Sequence, residues 1–455
     1  MSTPDALGFG PGNPDASLRR HIRRTIRLAV PVIASRVGMI TLLTVDVMVL
    51  GHTESRQLAD YVLGQSLVDS LIAMLAGLLL GVPVLIARET GRGNDQGAGQ
   101  ILWRGLVYAV GVGLIVCVAL QFAEPIYRLT GQSADIAARG ADVTAMLAYS
   151  MPFFAVMLVC VMFLEALHRP LVGTVAMAGA NLVNLAANLV FVPGWGPIPA
   201  MGAVGCALAT VCTSAFLAIG LLAYLRVGLP GRHRYGLDRP PGRDLWSAAG
   251  EQRKVGYAAG ASYALEASSF AALTLVIGVL GELALSTHGV LFQFLALPFM
   301  VSFGVAAATQ VRVGNAWGRG DPVGMRLAGW VGFALSVTMS VIATVFLLSF
   351  PEPLIGLFSD DPAVLVAAVP VMLWVALSLI FDGGQSVLNH ACRGRGDTWV
   401  PTACHFTSYW LVLVPLAIVL AHPMGLGVLG VYQAIAISSV VSLGALMIRF
   451  YWLGR

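Results

Sequence analysis

Ala363-Val364-Leu365-Val366-Ala367-Ala368-Val369-Pro370-Val371-Met372-Leu373-Trp374-Val375-Ala376-Leu377-Ser378-Leu379-Ile380-Phe381 is apolar but for one serine, and it runs straight into Asp382-Gly383-Gly384-Gln385. An α-helix rises 1.5 Å per residue, so about 20 such residues cross the roughly 30 Å hydrocarbon core of a bilayer. The stretch near 363–391 therefore reads as a membrane span that carries a carboxylate. Working outward, eleven more such stretches lie near 27–51, 59–87, 101–121, 140–166, 170–193, 201–225, 256–281, 284–309, 327–350, 400–421 and 428–451. All are far longer than the alternating strands of about 10 residues that build a membrane β-barrel. The expectation is an all-α membrane protein with twelve transmembrane helices.

Composition leads to the same class. Of the 455 residues, 57% are hydrophobic and only 11% are charged, and the mean hydropathy is +0.81. A soluble domain carries about 25% charged residues, so a soluble globular enzyme is excluded; so is a disordered chain. The first 18 residues are polar and the first apolar run is too long for a signal h-region, so no secretory signal is expected.

Basic residues orient the spans, because they collect in cytoplasmic loops. With an inside N-terminus, all but four of the 27 fall on the cytoplasmic side. Arg56, Arg128 and Arg139 fall outside, and Arg36 falls within a span. Both termini are expected in the cytoplasm and the chain in a bacterial inner membrane. The positive charge thus belongs to loops and not to nucleic-acid binding. The six cysteines show no metal or disulfide spacing and read as packing residues.

The longest hydrophilic loop, 226–254, separates six spans from six. Gly91-Arg92-Gly93-Asn94-Asp95 after span two resembles Gly318-Arg319-Gly320-Asp321 after span eight, at a shift of 227. Gly202-Ala203-Val204-Gly205 entering span six resembles Gly427-Val428-Leu429-Gly430 entering span twelve, at a shift of 225. An even number of spans per half makes such repeats parallel, the arrangement of a transporter with its site between the halves. The expected divisions are a cytoplasmic segment 1–24, an N-lobe 25–225, a linker 226–254 and a C-lobe 255–455.

The one lysine, Lys254, follows Arg253, so no phosphate-binding Gly-x-x-x-x-Gly-Lys loop exists in this chain. No ATPase subunit is implied, and coupling to an ion gradient is the simpler source of energy. Coupling needs ionisable groups within the membrane, where each charge costs about 2.5–3.5 kcal/mol even on lenient scales. The candidates are Arg36, Asp46, Asp69, Glu266 and Asp382, with Glu165 near a cytoplasmic end. Span ten carries Ser378, Asp382, Gln385 and Asn389 on one helix face; span seven carries Ser262, Glu266 and Ser269 beside Tyr263; span five carries Asn181, Asn184 and Asn188. Such stripes also serve plain inter-helix hydrogen bonding, at about 0.6 kcal/mol each. Two acids near one cavity can bind a hard cation or share protons, which makes Glu266 and Asp382 a candidate Na+ site or proton site. Asp69 is expected to pair with Arg36, and Glu165 with Arg169 at i+4.

These residues resemble the multidrug and toxic compound extrusion (MATE) family, in its bacterial NorM-like branch, from about residue 25 to 450. The resemblance rests on Val45-Asp46-Val47-Met48-Val49-Leu50-Gly51, on Asn184-Leu185-Ala186-Ala187-Asn188, on Glu266 in span seven, and on Asp382 followed by Arg393-Gly394-Arg395-Gly396-Asp397-Thr398-Trp399-Val400-Pro401. It implies two six-helix lobes around a V-shaped cavity. It also implies export of cationic amphipathic compounds in antiport with Na+ or H+, with no cofactor. Carried over, Asp46, Asn184 and Asn188 form an N-lobe cation site, and Glu266 and Asp382 a C-lobe site. Ser378, Gln385 and Tyr263 become candidates for the substrate cavity. Ser378 stands where a tyrosine is frequent in the family, and Arg36 and Asp69 depart from its usual pattern.

Competing readings follow from the same residues. A flippase for lipid-linked saccharides shares this architecture but needs a more basic cavity. Gly394-Arg395-Gly396-Asp397 superficially matches intramembrane aspartyl proteases, but Asp397 falls in a basic loop, so no enzyme is expected. A passive channel does not explain two repeated lobes.

Overall fold

The computed structural model describes residues 14–51, 55–129, 132–237, 245–358 and 361–454. Residues 1–13 of the expected N-terminal segment, 238–244 of the linker and Arg455 lie outside them. The described residues are helical, apart from turns and one isolated bridge between Trp195 and Ile198. Among the described residues, eleven helices are long and apolar enough to cross a membrane, and a bent pair makes twelve.

In chain order, span one is Pro14–Gly51; span two is Ser55–Leu78 continued by Gly81–Gly91; span three is Asp95–Leu120. Span four is the pair Ala134–Ala148 and Met151–Ala166, bent by 44°. Spans five and six are Pro170–Phe191 and Gly202–Ala223. Spans seven to ten are Gly250–Gly278, Glu282–Gly318, Pro322–Ser349 and Pro362–Arg395. Span eleven starts as Trp399–His405, widens into a π-helix over Phe406–Leu413 and ends as Val414–Ala421; span twelve is Gly427–Leu453.

Several spans outrun the apolar core that announces them. Span eight was expected over 284–309 and reaches Gly318; span one starts thirteen residues before its expected 27. The extensions carry polar residues, and the joints after spans two and eight are closed by a turn and a cap. Gly93 and Gly320 adopt positive φ, 76° and 69°, which stops each incoming helix. The next residue then caps the outgoing helix: Asn94 accepts from the amide of Gly97 at 3.0 Å, and Asp321 from that of Gly324 at 2.7 Å. The repeated Gly-Arg-Gly sequence is thus the same helix–turn–helix joint built twice.

The halves meet along spans two and seven and along spans one and eight. Arg88 of span two donates to Glu251 of span seven at 2.7 and 2.8 Å. Arg312 of span eight reaches back to Thr25 and, at 2.6 Å, to His21 of span one. All five residues lie toward the arginine-rich end of the spans, so this seal closes the end expected to face the cytoplasm.

Candidate functional site

A cavity of about 480 Å³ lies between the halves. Its wall is apolar and rich in methionine and phenylalanine, with Met39, Met151, Met157, Met300, Phe154 and Phe299 among its lining. Such a wall adapts to varied apolar shapes, because thioethers are flexible and polarisable. Polar groups enter it from both halves.

In the N-terminal half, the face shared by Asn184 and Asn188 turns toward span one. Asp46 Oδ1 accepts from Asn184 Nδ2 at 3.1 Å and from Asn188 Nδ2 at 2.7 Å. Its Oδ2 accepts from the hydroxyls of Tyr61 at 2.9 Å and Thr210 at 3.2 Å. The carboxylate is 1% exposed. Burial of a carboxylate is tolerated only where its lone pairs are satisfied, and four donors do that here. Asn181 lies off this cluster and donates to the Gly38 carbonyl of span one, a packing bond.

In the C-terminal half, Glu266 and Asp382 approach one polar cluster. Gln385 Nε2 donates to Asp382 Oδ1 at 2.9 Å and lies 3.0 Å from the Tyr409 hydroxyl. Tyr409 donates to Glu266 Oε1 at 3.4 Å, and His405 Nδ1 stands 3.9 Å from Glu266 Oε2. His405 also contacts Ser262 Oγ at 2.8 Å, Gln385 Oε1 at 3.0 Å and Asn389 Nδ2 at 2.7 Å. Glu266 lines the cavity, whereas Asp382 sits behind it. Gln385 and Tyr263 line the cavity as well. Ser378 does not: it is fully buried and donates to the Val375 carbonyl of its own helix at 2.7 Å. The helix runs unbroken through the two glycines after Asp382. They let Ser336 of span nine donate to the Gly383 carbonyl at 3.1 Å.

His405 and Tyr409 are centres of this cluster that the sequence reading passes over. Their signal was available, because Thr402, His405 and Tyr409 recur at spacings of 3 and 4 on span eleven. Tyr61 and Thr210 have no such pattern and emerge only from packing.

The ion pairs differ from expectation. Arg36 pairs with Glu165 at 3.4 Å, both largely buried, and not with Asp69. Glu165 does not meet Arg169, because the helix ends at Ala166 and His168 turns the chain at φ 58°. An i+4 pair needs continuous helix. Asp69 accepts instead from Gln65 Nε2 at 2.6 Å and is exposed in the cavity wall. Arg393, assigned from sequence to a basic loop, is fully buried at the end of span ten, with its guanidinium 5.4 Å from the ring centre of Tyr263. Arg36 is therefore not alone as a buried basic group. Its own guanidinium lies 5.6 Å from the ring centre of Phe303.

The MatE family matches the chain twice, over residues 31–196 and 258–419. The two matches begin 227 residues apart, the shift already seen between Gly91 and Gly318. The chain belongs to the MATE family. Members of this family are membrane transporters. A protein of Caulobacter vibrioides called "Probable multidrug resistance protein NorM" is 36% identical over 449 residues, covering 98% of this chain and 95% of that one. A protein of the same name from Mesorhizobium japonicum is 30% identical, covering 99% and 97%. Among solved structures, the eukaryotic MATE transporter AtDTX14 superposes with a TM-score of 0.88 at 21% identity, over 95% of this MATE chain and 96% of that one. The twelve-helix fold, in two repeated six-helix halves around a cavity, is that of MATE transporters.

Proposed function

We propose that this MATE chain is a multidrug exporter that drives cationic amphipathic compounds out of the cell in antiport with protons. The observation that carries the reading is one cavity that reaches a carboxylate cluster in each half, Asp46 in one and Glu266 with Asp382 in the other. Relatives named for multidrug resistance, at 36% and 30% identity over nearly the whole chain, support the substrate class.

The proton is favoured over Na+ by the polarity of the neighbours. A bound Na+ needs oxygen lone pairs around it. The groups that face these acids present hydrogens: the amide of Gln385 to Asp382, the hydroxyl of Tyr409 to Glu266, and the amides of Asn184 and Asn188 to Asp46. A proton on Glu266 or Asp382 fits between such groups without rebuilding them. Protonation neutralises a buried charge, and the two conformations of the transporter differ in how they solvate that charge. Proton binding therefore shifts the equilibrium between them, and the cavity releases its cargo on the side it then faces. The coupling acids are Glu266, Asp382 and Asp46, with Asn184 and Asn188 orienting Asp46. Tyr263 and Gln385 belong to the substrate wall. Both termini lie in the cytoplasm and the membrane is the bacterial inner membrane.

Substrate-induced proton release tests the reading. Tetraphenylphosphonium added to the purified protein in weakly buffered detergent should release protons, and Glu266→Gln should abolish the release. Binding of the cation without any proton release would overturn proton antiport.

A further inference from the structure

Span two crosses the cavity with one face turned to it, formed by Gln65, Asp69, Ile72 and Ala76 at spacings of 4, 3 and 4. Asp69 is the acid of the cavity wall that is exposed to it: Asp46 is 1% exposed behind its four donors, and the Glu266 side chain is 20% exposed. Asp69 has no basic partner among the described residues. Arg36, the cation that sequence would assign to it, is held by Glu165.

The hydrogen bonding around Asp69 is short of donors. A carboxylate offers about four acceptor positions. Among the described residues one is used, by Gln65 Nε2 at 2.6 Å. The amide nitrogen must face the carboxylate, so Gln65 turns its carbonyl oxygen away, and that Oε1 has no hydrogen-bond partner. The exposed carboxylate thus keeps acceptor positions open to the cavity that no described donor fills. A ligand that brings both a positive charge and N–H groups supplies what the spot lacks. Apolar surface for the rest of such a ligand lies on the same helix face at Ile72 and elsewhere in the lining at Met151, Phe154 and Met157.

We infer that Asp69, supported by Gln65, is the recognition point for the protonated amine of an amphipathic substrate, separate from the acids that carry the coupling ion. The inference rests on the multidrug reading and narrows its substrate class. The cavity prefers cations with N–H donors to permanent cations that have none, because a charge-assisted hydrogen bond adds to the charge attraction. Asp69 acts on the substrate and not on coupling, so its removal changes which cations are carried and leaves the driving ion the same.

Two fluorescent or competing probes separate the cases. Dansylcadaverine carries a protonated primary amine; tetraphenylphosphonium carries a charge with no N–H. Binding of both to the purified full-length protein is measured for wild type, Asp69→Asn and Asp69→Glu, with monodispersity and melting temperature confirming the fold of each. Asp69→Asn should weaken dansylcadaverine about tenfold or more, as loss of a hydrogen bond to a charged group does, and tetraphenylphosphonium by several-fold less. Asp69→Glu should restore amine binding, and proton-driven transport of tetraphenylphosphonium should persist in Asp69→Asn. Unchanged amine affinity, or equal loss for both probes, would overturn the assignment. If wild type binds and transports neither probe, the multidrug reading itself fails, an outcome distinct from a failure confined to Asp69.

Discussion

Gly91 and Gly318 sit at equivalent ends of spans two and eight, and each is pressed against the backbone of the opposite half. A Cβ on Gly91 would overlap the carbonyl oxygen of Asn315, and a Cβ on Gly318 would overlap that of Arg88. The contact is reciprocal, as a repeat about one axis requires. It explains why the same Gly-Arg-Gly sequence stands in both halves: the first glycine admits the partner backbone and the second turns the chain.

The glycine contact predicts a conformational phenotype. Gly318→Ala forces backbone apart in a close-packed seal, a change that costs about 1–3 kcal/mol. The cost falls on the sealed conformation alone, so the population moves toward the state open at the basic end. Cysteine-accessibility labelling at positions flanking the seal should increase in Gly318→Ala and in Gly91→Ala. Identical labelling of variant and parent would contradict a gating role for this contact.

The Arg36–Glu165 pair predicts asymmetric stability effects. Removing one partner of a buried ion pair strands the other, at about 3–5 kcal/mol. Arg36→Met and Glu165→Leu should each lower the melting temperature in detergent, and the double variant should regain most of the loss. If the double variant is as unstable as the sum of the singles, the pair is not what holds these residues.

The four donors around Asp46 predict a graded series. Tyr61→Phe removes one hydrogen bond to a charged group, about 1.5–3 kcal/mol, and should leave a folded and weakened transporter. Asp46→Asn turns an amide N–H₂ toward the existing donors and should abolish coupled transport. Efflux rates measured side by side should fall in the order wild type, Tyr61→Phe, Asp46→Asn.

His405 predicts a defect in the C-terminal half. It bridges Ser262, Gln385 and Asn389 beside Glu266. His405→Phe keeps a ring and removes both nitrogens, so at least two buried polar groups lose their partner. Proton-driven transport should drop by about tenfold or more, in line with loss of a buried hydrogen-bonded group. His405→Gln, which retains a donor and an acceptor, should recover part of it. Equal activity in wild type and His405→Phe would remove His405 from the coupling cluster.

Much of this molecule was legible in its residues, for physical reasons. Apolar runs of bilayer length report spans because lipid admits little else, and the stripe of Asp382, Gln385 and Asn389 reports a face because a helix repeats every 3.6 residues. The partners of charges were less legible. Arg36 meets Glu165 and not Asp69 because the choice is made by how spans one, two and four pack, which spacing along one helix does not encode. The Glu165–Arg169 pair failed where a turn at His168 interrupts the helix. Arg393 reads as a loop residue because charge at a span end is ordinarily solvated, yet the packing of spans seven and ten covers it.

In the proposed mechanism protons move in antiport through the carboxylates of the two halves. Its most direct test is ethidium transport in proteoliposomes of controlled orientation, comparing wild type with Asp382→Asn under an imposed pH gradient and an imposed Na+ gradient. Movement driven by the pH gradient is expected in wild type and should be lost in Asp382→Asn while ethidium binding remains. Movement driven by the Na+ gradient alone would contradict the proton, and no movement under either gradient would contradict antiport.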